Sequence, residues 1–410
     1  MTKRVLFLSN GHGEDLNASL VLKAFQQKYP EVEVAALPIV GEGNSYLRLD
    51  VPIIAPTRSL PSGGFVYMDN RKLLSDLRSG LLGLTWQQIQ AARAYGRTCD
   101  LIFAAGDIVP LAIARLTGCP YAAFIVSSSS YYENRVSLPF LTMQLLRSRQ
   151  CQVIFTRDAF SAQQLNQRGI SKALFAGYPI MDVLEPTGKN LGLVPQLPTI
   201  ALLPGSRLPE SVRNFGLLLD LAIEISREFA PHSVQFQAAL TPNMMLPQQG
   251  VESNRVEACS PLQTVALQKG WQYQENGRLY HAQQDAIVNC HCDAFATILQ
   301  KSDLVIGMAG TAVEQAVGLG KPVIQIVGEG PQFTYRFAEA QMRLLGRSVQ
   351  TIGKAPATSQ DLIETAKQVK QTLGNAEYLQ QCIQNGLERV GDPGGSAQIA
   401  EMFAHQLGIA

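Results

Sequence analysis

The feature that most constrains this chain is a repeating unit of a short apolar run, a glycine-bearing turn and a helical stretch. Val5–Ser9 is apolar, Asn10-Gly11-His12-Gly13-Glu14-Asp15 reads as a turn, and Leu16 to Tyr29 carries Leu16, Leu20 and Phe25 at helical spacing. Pro30 stops that helix, and Val32-Glu33-Val34-Ala35 reads as the next strand. The buried-strand run 101–105 ends at Gly106-Asp107, and 121–126 and 153–156 are two more such runs. Proline and glycine between Glu185 and Pro198 mark a linker, after which the rhythm restarts. Thr199–Leu203 leads into Pro204-Gly205-Ser206-Arg207, a long helix from about Glu210 to Phe229, and a strand at 234–239. Asp303–Gly307, the turn Met308-Ala309-Gly310-Thr311, a helix at 312–319 and a strand at 323–327 complete the pattern. Each half therefore predicts a run of βα units on a parallel sheet, with ligands beyond the carboxyl ends of the strands. The expected division is a first domain over 1–184, a second over 185–390, and a final helix over 391–410 packing back toward the first.

Composition narrows the function. Hydrophobic residues make up 46% and charged residues 16%, as in a chain with large cores. The formal net charge of +1 gives no field for nucleic acid, so a charged ligand must be met by a local site. The N-terminal apolar run is broken at Ser9-Asn10-Gly11, too early for a signal-peptide core, and no stretch is long enough to span a bilayer. Seven scattered cysteines suit a reducing compartment, so a cytoplasmic protein is expected. Cys290-His291-Cys292 alternates faces on a strand and lacks a second cysteine pair, so it reads as packed thiols and not as a metal site.

Four turns carry the chemistry. Gly205, Ser206 and Arg207 follow a buried strand. Backbone N–H groups at a helix start, the Ser206 hydroxyl and the Arg207 guanidinium suit a diphosphate, although an ordinary βα turn reads the same way. Gly310 permits close backbone approach and Thr311 is expected to cap the next helix. Glu314 or Gln315, one turn in, is placed to meet the two hydroxyls of a ribose. Asp107 ends an apolar strand, where it serves either as a general base or as a helix N-cap. In the loop Gly11, His12, Gly13, Glu14 and Asp15, His12 is a candidate acid–base group, while Asp15 reads equally as the cap of the first helix. The loop lacks the third glycine of a dinucleotide fingerprint.

These residues resemble the lipid-A-disaccharide synthase family, and more closely its related cyanobacterial proteins. Leu202-Leu203-Pro204-Gly205-Ser206-Arg207 is similar to the family's Leu-Leu-Pro-Gly-Ser-Arg, and Ala309-Gly310-Thr311-Ala312 to its Ser-Gly-Thr-Ala. Ala176-Gly177-Tyr178-Pro179 resembles the turn that ends the family's first lobe. The resemblance implies the GT-B architecture, an α/β fold of two Rossmann-like parallel-sheet lobes facing a central cleft. It also implies inverting, metal-independent transfer of a sugar from a UDP-sugar to a lipid-linked acceptor, with no cofactor besides that donor. Asp107 falls on the family's proposed catalytic aspartate, and Asp15 on the aspartate closing its first loop. Gln332 and Phe333 resemble a segment bordering the donor sugar in related enzymes. Here Asp107 is followed by Ile108-Val109-Pro110 where the family has Ala-Pro-Asp, so the particular sugar reaction does not carry over.

Two rivals remain. The Gly310-Thr311-Ala312-Val313-Glu314-Gln315-Ala316 turn is also similar to the Gly-Gly-Val-Gln-Glu-Glu-Ala of non-hydrolysing UDP-sugar 2-epimerases. A non-catalytic sugar-nucleotide or lipid-binding protein would equally lack a second aspartate near Asp107. The leucine-rich segment around Phe65 and Tyr67, with Arg71, Lys72 and Arg78, favours a lipid-linked acceptor. It reads either as an ordinary core-facing helix or as an amphipathic segment in peripheral contact with an anionic membrane on its cytoplasmic face.

Overall fold

The computed structural model describes residues 2–57, 81–246, 259–330 and 333–409. The segment Phe65–Arg78 and Gln332 lie outside them. The chain forms two compact units, one of residues 1–182 with 391–410 and one of 183–390.

In the first unit the described residues form a parallel sheet ordered β2-β1-β3-β4-β5-β6. Its strands are β1 (Arg4–Ser9), β2 (Glu33–Pro38), β3 (Leu101–Ala105), β4 (Tyr121–Ile125), β5 (Cys151–Thr156) and β6 (Ala173–Leu174). Both β3 and β4 are buried at every position, as expected of parallel strands covered by helices on both faces. The chain steps from β1 out to β2 on one side and resumes at β3 on the other. That makes β1 and β3 the topological switch point, where open α/β sheets bind ligands.

The helix Gly395–Leu407 closes the core of this unit. Phe403 is fully buried, with ring centroids 5.7, 5.5 and 5.4 Å from Phe7, Phe25 and Phe103. The start of that helix is held by Asp182, the last residue before the chain leaves the unit. Its carboxylate accepts from the backbone N–H groups of Gly394 (2.5 Å) and Ser396 (2.7 Å). Gly177 stands so close to Gly395 that a Cβ on it would lie 2.6 Å from the Gly395 Cα.

In the second unit the order is β14-β13-β12-β7-β8-β11-β10-β9. These strands are β7 (Thr199–Leu203), β8 (Gln235–Ala239), β9 (Gln272–Gln274), β10 (Arg278–His281), β11 (Ala286–His291), β12 (Leu304–Gly307), β13 (Val323–Ile326) and β14 (Val349–Ile352). Here β7 and β12 form the switch point, and they pair in parallel from Leu304↔Ile200 to Gly307↔Leu203. The sheet is not parallel throughout: β9 and β10 extend it as an antiparallel hairpin beside β11. The cause is local, because Asn276 (φ 62°) and Gly277 (φ 79°) supply the left-handed pair that a tight hairpin needs. Among the described residues, no helix is long and apolar enough to cross a membrane.

Deleting the Phe403 ring should cost the protein about 3–5 kcal/mol of stability. Met402 beside it is 37% exposed, and Met402→Ala should stay within about 0.5 kcal/mol of wild type. Urea unfolding of Phe403→Ala and Met402→Ala checks the contrast.

Candidate functional site

In the second unit the two glycine turns meet at the switch point. The Met308 N–H donates to the Leu203 carbonyl (2.8 Å), which carries the β7–β12 ladder one residue into the turn. Gly205 adopts φ 93°, and a Cβ there would stand 2.9 Å from the Met308 carbonyl oxygen. Asn214, itself buried, donates to the Pro204 carbonyl (3.0 Å), and Gly328 at the end of β13 leaves room for it and for Met308. On the other side the buried Gln341 amide donates to the carbonyls of Ala309 and Gly310, both at 3.2 Å. Gln325 in turn donates to Gln341. The turn carbonyls are thus occupied from inside, while the helix Thr311–Gly318 starts at Gly310 with no side chain capping it. An uncapped helix start beside glycine turns offers backbone N–H groups to an anion.

Several expectations need correction here. Thr311 is exposed and is the first helical residue, not the cap; Gly310 holds that place. Ser206 and Arg207 are exposed and lie ahead of the helix, which begins at Glu210 where the sequence placed it, so their turn is not itself the helix start. Pro209 is the reason, because a residue preceding proline is kept out of the helical region. Gln315 is 4% exposed and faces the interior, whereas Glu314 is only half-buried. Phe333 belongs to the core, at 4% exposure and edge-on to Phe337 (5.6 Å).

The first unit builds its switch point from carboxyls. Residues 12–15 are the first turn of the helix His12–Lys28 and not a loop, because Gly11 (φ 130°) makes the reversal alone. Asp15 is therefore not the cap. It is 3% exposed, accepts from the Ser9 hydroxyl (2.6 Å), and Ser9 also meets the buried Tyr46 hydroxyl (2.6 Å). Burial pushes Asp15 up to about 7, against the opposing bonds from Ser9 and the Gly11 N–H. Asp107 caps the helix Ile108–Thr117: its Oδ1 accepts from the Val109 N–H (2.9 Å) and from Asn10 Nδ2 (3.0 Å). Glu14 lies between the two turns, 3.0 Å through Oε2 from where a Gly11 Cβ would stand and 3.4 Å through Cγ from where a Gly106 Cβ would stand. Burial, with the charges of Asp107 and Asp15 adding to it, pushes Glu14 up to about 7. Gly13 is exposed, and a Cβ there would meet nothing. His12 is the first residue of the helix.

Ser9, Asn10, Tyr46, Asn214 and Gln341 were not singled out in the sequence. Ser9 and Asn10 carried a signal, as polar residues ending an apolar strand; the others join the sites only through tertiary packing. Among the described residues no three His, Cys, Asp or Glu side chains gather to hold a metal. Cys290 is buried and Cys292 exposed, and His291 Nε2 pairs with Gln237 Oε1 at 3.0 Å. An open depression of about 660 Å³ beside Ala162, Asn166 and Phe175 shares no residue with either switch point.

No family model matches this chain, and no curated protein does. Its likeness to known proteins lies in the fold. The calicheamicin glycosyltransferase CalG4 is 13% identical, with 98% of each chain covered and a TM-score of 0.57. MurG from Acinetobacter baumannii is 14% identical over 98% of this chain and 99% of its own, at a TM-score of 0.56. A UDP-GlcNAc 2-epimerase from Neisseria meningitidis, solved bound to UDP-GlcNAc, is 13% identical over 99% of this chain and all (100%) of its own, at 0.54. The chain thus has the α/β fold of GT-B glycosyltransferases and UDP-GlcNAc 2-epimerases, with two Rossmann-like units.

The raised carboxyls set a pH dependence of stability. The folded state keeps protons on Glu14 and Asp15 that the unfolded chain releases near pH 4, so their contribution to stability is greatest below that and declines as pH rises to about 7. Asp15→Asn should remove its share of the decline, up to roughly 4 kcal/mol. Urea midpoints of both proteins at pH 4.5 and 7.5 measure it, and equal declines would mean that Asp15 is ionised throughout.

Proposed function

We propose that this protein is a UDP-sugar-dependent glycosyltransferase whose donor diphosphate sits at the switch point of the second unit. The observation carrying this reading is the meeting of the Gly205 and Gly310 turns beside an uncapped helix start, with their carbonyls tied off from within. The Gly205 and Gly310 backbone, Ser206, Thr311 and Arg207 hold the phosphates, and Glu314 serves the ribose. Negative charge grows on the diphosphate as its bond to the anomeric carbon breaks. Fixed N–H dipoles and Arg207 stabilise that charge without reorganising. A carboxylate at the first unit's switch point, Asp107 by the family resemblance, takes the acceptor's hydroxyl proton. The same resemblance supports a lipid-linked acceptor and peripheral contact with the cytoplasmic face of a membrane.

A second reading is favoured by a specific observation: UDP-GlcNAc 2-epimerases share this fold at similar coverage. The two readings part on the product. An epimerase converts the UDP-sugar to its C2 epimer and keeps the UDP attached, whereas a transferase releases UDP in proportion to acceptor.

UDP should raise the melting temperature, by mass action on the folded state, while NAD leaves it unchanged. A shift with NAD alone would overturn the donor assignment. Arg207 is exposed, so Arg207→Ala should leave the melting temperature within about a degree. It should lower kcat and kcat/KM together by roughly 10- to 100-fold, the worth of one charge-assisted hydrogen bond. Normal turnover in that variant would remove Arg207 from the site.

A further inference from the structure

We propose that Glu14, seated between Gly11 and Gly106 beside Asp107, is the group that takes the acceptor's proton in the first unit. The inference rests on the transferase reading and changes which carboxyl does the work.

Three carboxyls gather at the end of β1, and the geometry separates their roles. Asp15 is 3% exposed and held by Ser9, which also meets Tyr46, so it positions the turn from beneath and reaches no substrate. Asp107 spends Oδ1 on the Val109 N–H and on Asn10, which fixes the start of a helix and ties the two turns together. Glu14 is the remaining carboxyl, and it is half-buried. Its side chain crosses the surface left bare by two glycines that both adopt left-handed φ, 130° at Gly11 and 133° at Gly106. Any side chain at either position would strain the backbone, and a Cβ would press on the Glu14 side chain, at 3.0 Å from Oε2 and 3.4 Å from Cγ. The floor of the switch point is thus shaped to seat this carboxyl.

Its surroundings suit proton transfer. Burial acts most on Glu14, and among the described residues the charges that reach it, Asp107 from the β3 turn and Asp15 from its own helix, are acidic and act in the same direction. A carboxyl made this basic works near neutral pH, where general-base transfer is most effective. In the step itself the acceptor O–H bond breaks and the acceptor oxygen bonds to the anomeric carbon. The bond from that carbon to the diphosphate breaks with its electron pair leaving on UDP, and the proton moves to the Glu14 carboxylate. Asp107 contributes its charge, which makes Glu14 the stronger base.

Glu14→Gln keeps the shape and removes the base. With carboxyl-¹³C-labelled glutamate, wild type should show one resonance titrating near pH 7. That resonance should be absent in Glu14→Gln and should move to lower pH in Asp107→Asn. Turnover of a panel of UDP-hexoses with a glycolipid extract should fall about 10²- to 10⁴-fold in Glu14→Gln, with UDP affinity by calorimetry unchanged. Glu14→Asp should recover part of the rate, and the wild-type rate should rise with pH through about 7. A spectrum with no glutamate titrating between pH 6 and 8, or a Glu14→Gln pH–rate profile matching wild type, overturns the proposal. Failure of wild type to bind UDP would instead overturn the donor assignment, and the carboxyl titration would still decide Glu14.

Discussion

Both candidate sites depend on a steric constraint: two strand ends can meet at a switch point only where side chains are missing. A Cβ on Gly205 would come within 2.9 Å of the Met308 carbonyl oxygen. The Met308 N–H bond to Leu203 starts the two turns side by side, and a β-carbon at 205 would force them apart, while one at 328 would meet the side chains of Met308 and Asn214 behind them. In the first unit Gly11 and Gly106 leave the same kind of gap, and it is filled by a carboxyl from the adjoining helix turn. Sheet order brings the ends together, and absent side chains let them touch.

The units then satisfy their buried polar groups in different chemical terms. The second uses neutral amides: Asn214 on the Pro204 carbonyl, Gln341 on Ala309 and Gly310, and Gln325 behind Gln341. Amides neither titrate nor repel an anion, so the turn keeps its form as charge arrives. The first unit uses carboxyls: burial makes Glu14 and Asp15 hold protons more tightly, and at Glu14 the charges of Asp107 and Asp15 add to it. Such a cluster lowers stability at neutral pH, whether a carboxyl positions the turn, as Asp15 does, or faces outward, as Glu14 does.

The α/β class was legible because parallel strands covered on both faces read as unbroken apolar runs, as at 101–105 and 199–203. The turns were legible for the same reason, since each glycine follows such a run. What escaped were effects of one or two residues. Asn276-Gly277 marks a hairpin that puts antiparallel strands on the second sheet, and Gly310 rather than Thr311 takes the cap position of its helix. Glu14 stood in the first loop without a distinct role, since its basicity comes first from burial and then from the charge of Asp107, and only the fold brings about either. Gln341 and Tyr46 had no local signal at all.

The helix Gly395–Leu407 places Phe403 among Phe7, Phe25 and Phe103, and Asp182 holds its first turn. A ribosome makes residues 391–410 only after the whole of the second unit, whose segment 183–390 is continuous. The later unit in the sequence is thus the earlier one able to close its core. The N-terminal residues must wait, with the pocket around Phe7 and Phe103 unfilled, for a phenylalanine that follows Phe103 by 300 residues and Phe7 by 396. During that interval the nascent first unit exposes an aromatic surface, which makes it the part of this chain most in need of a chaperone.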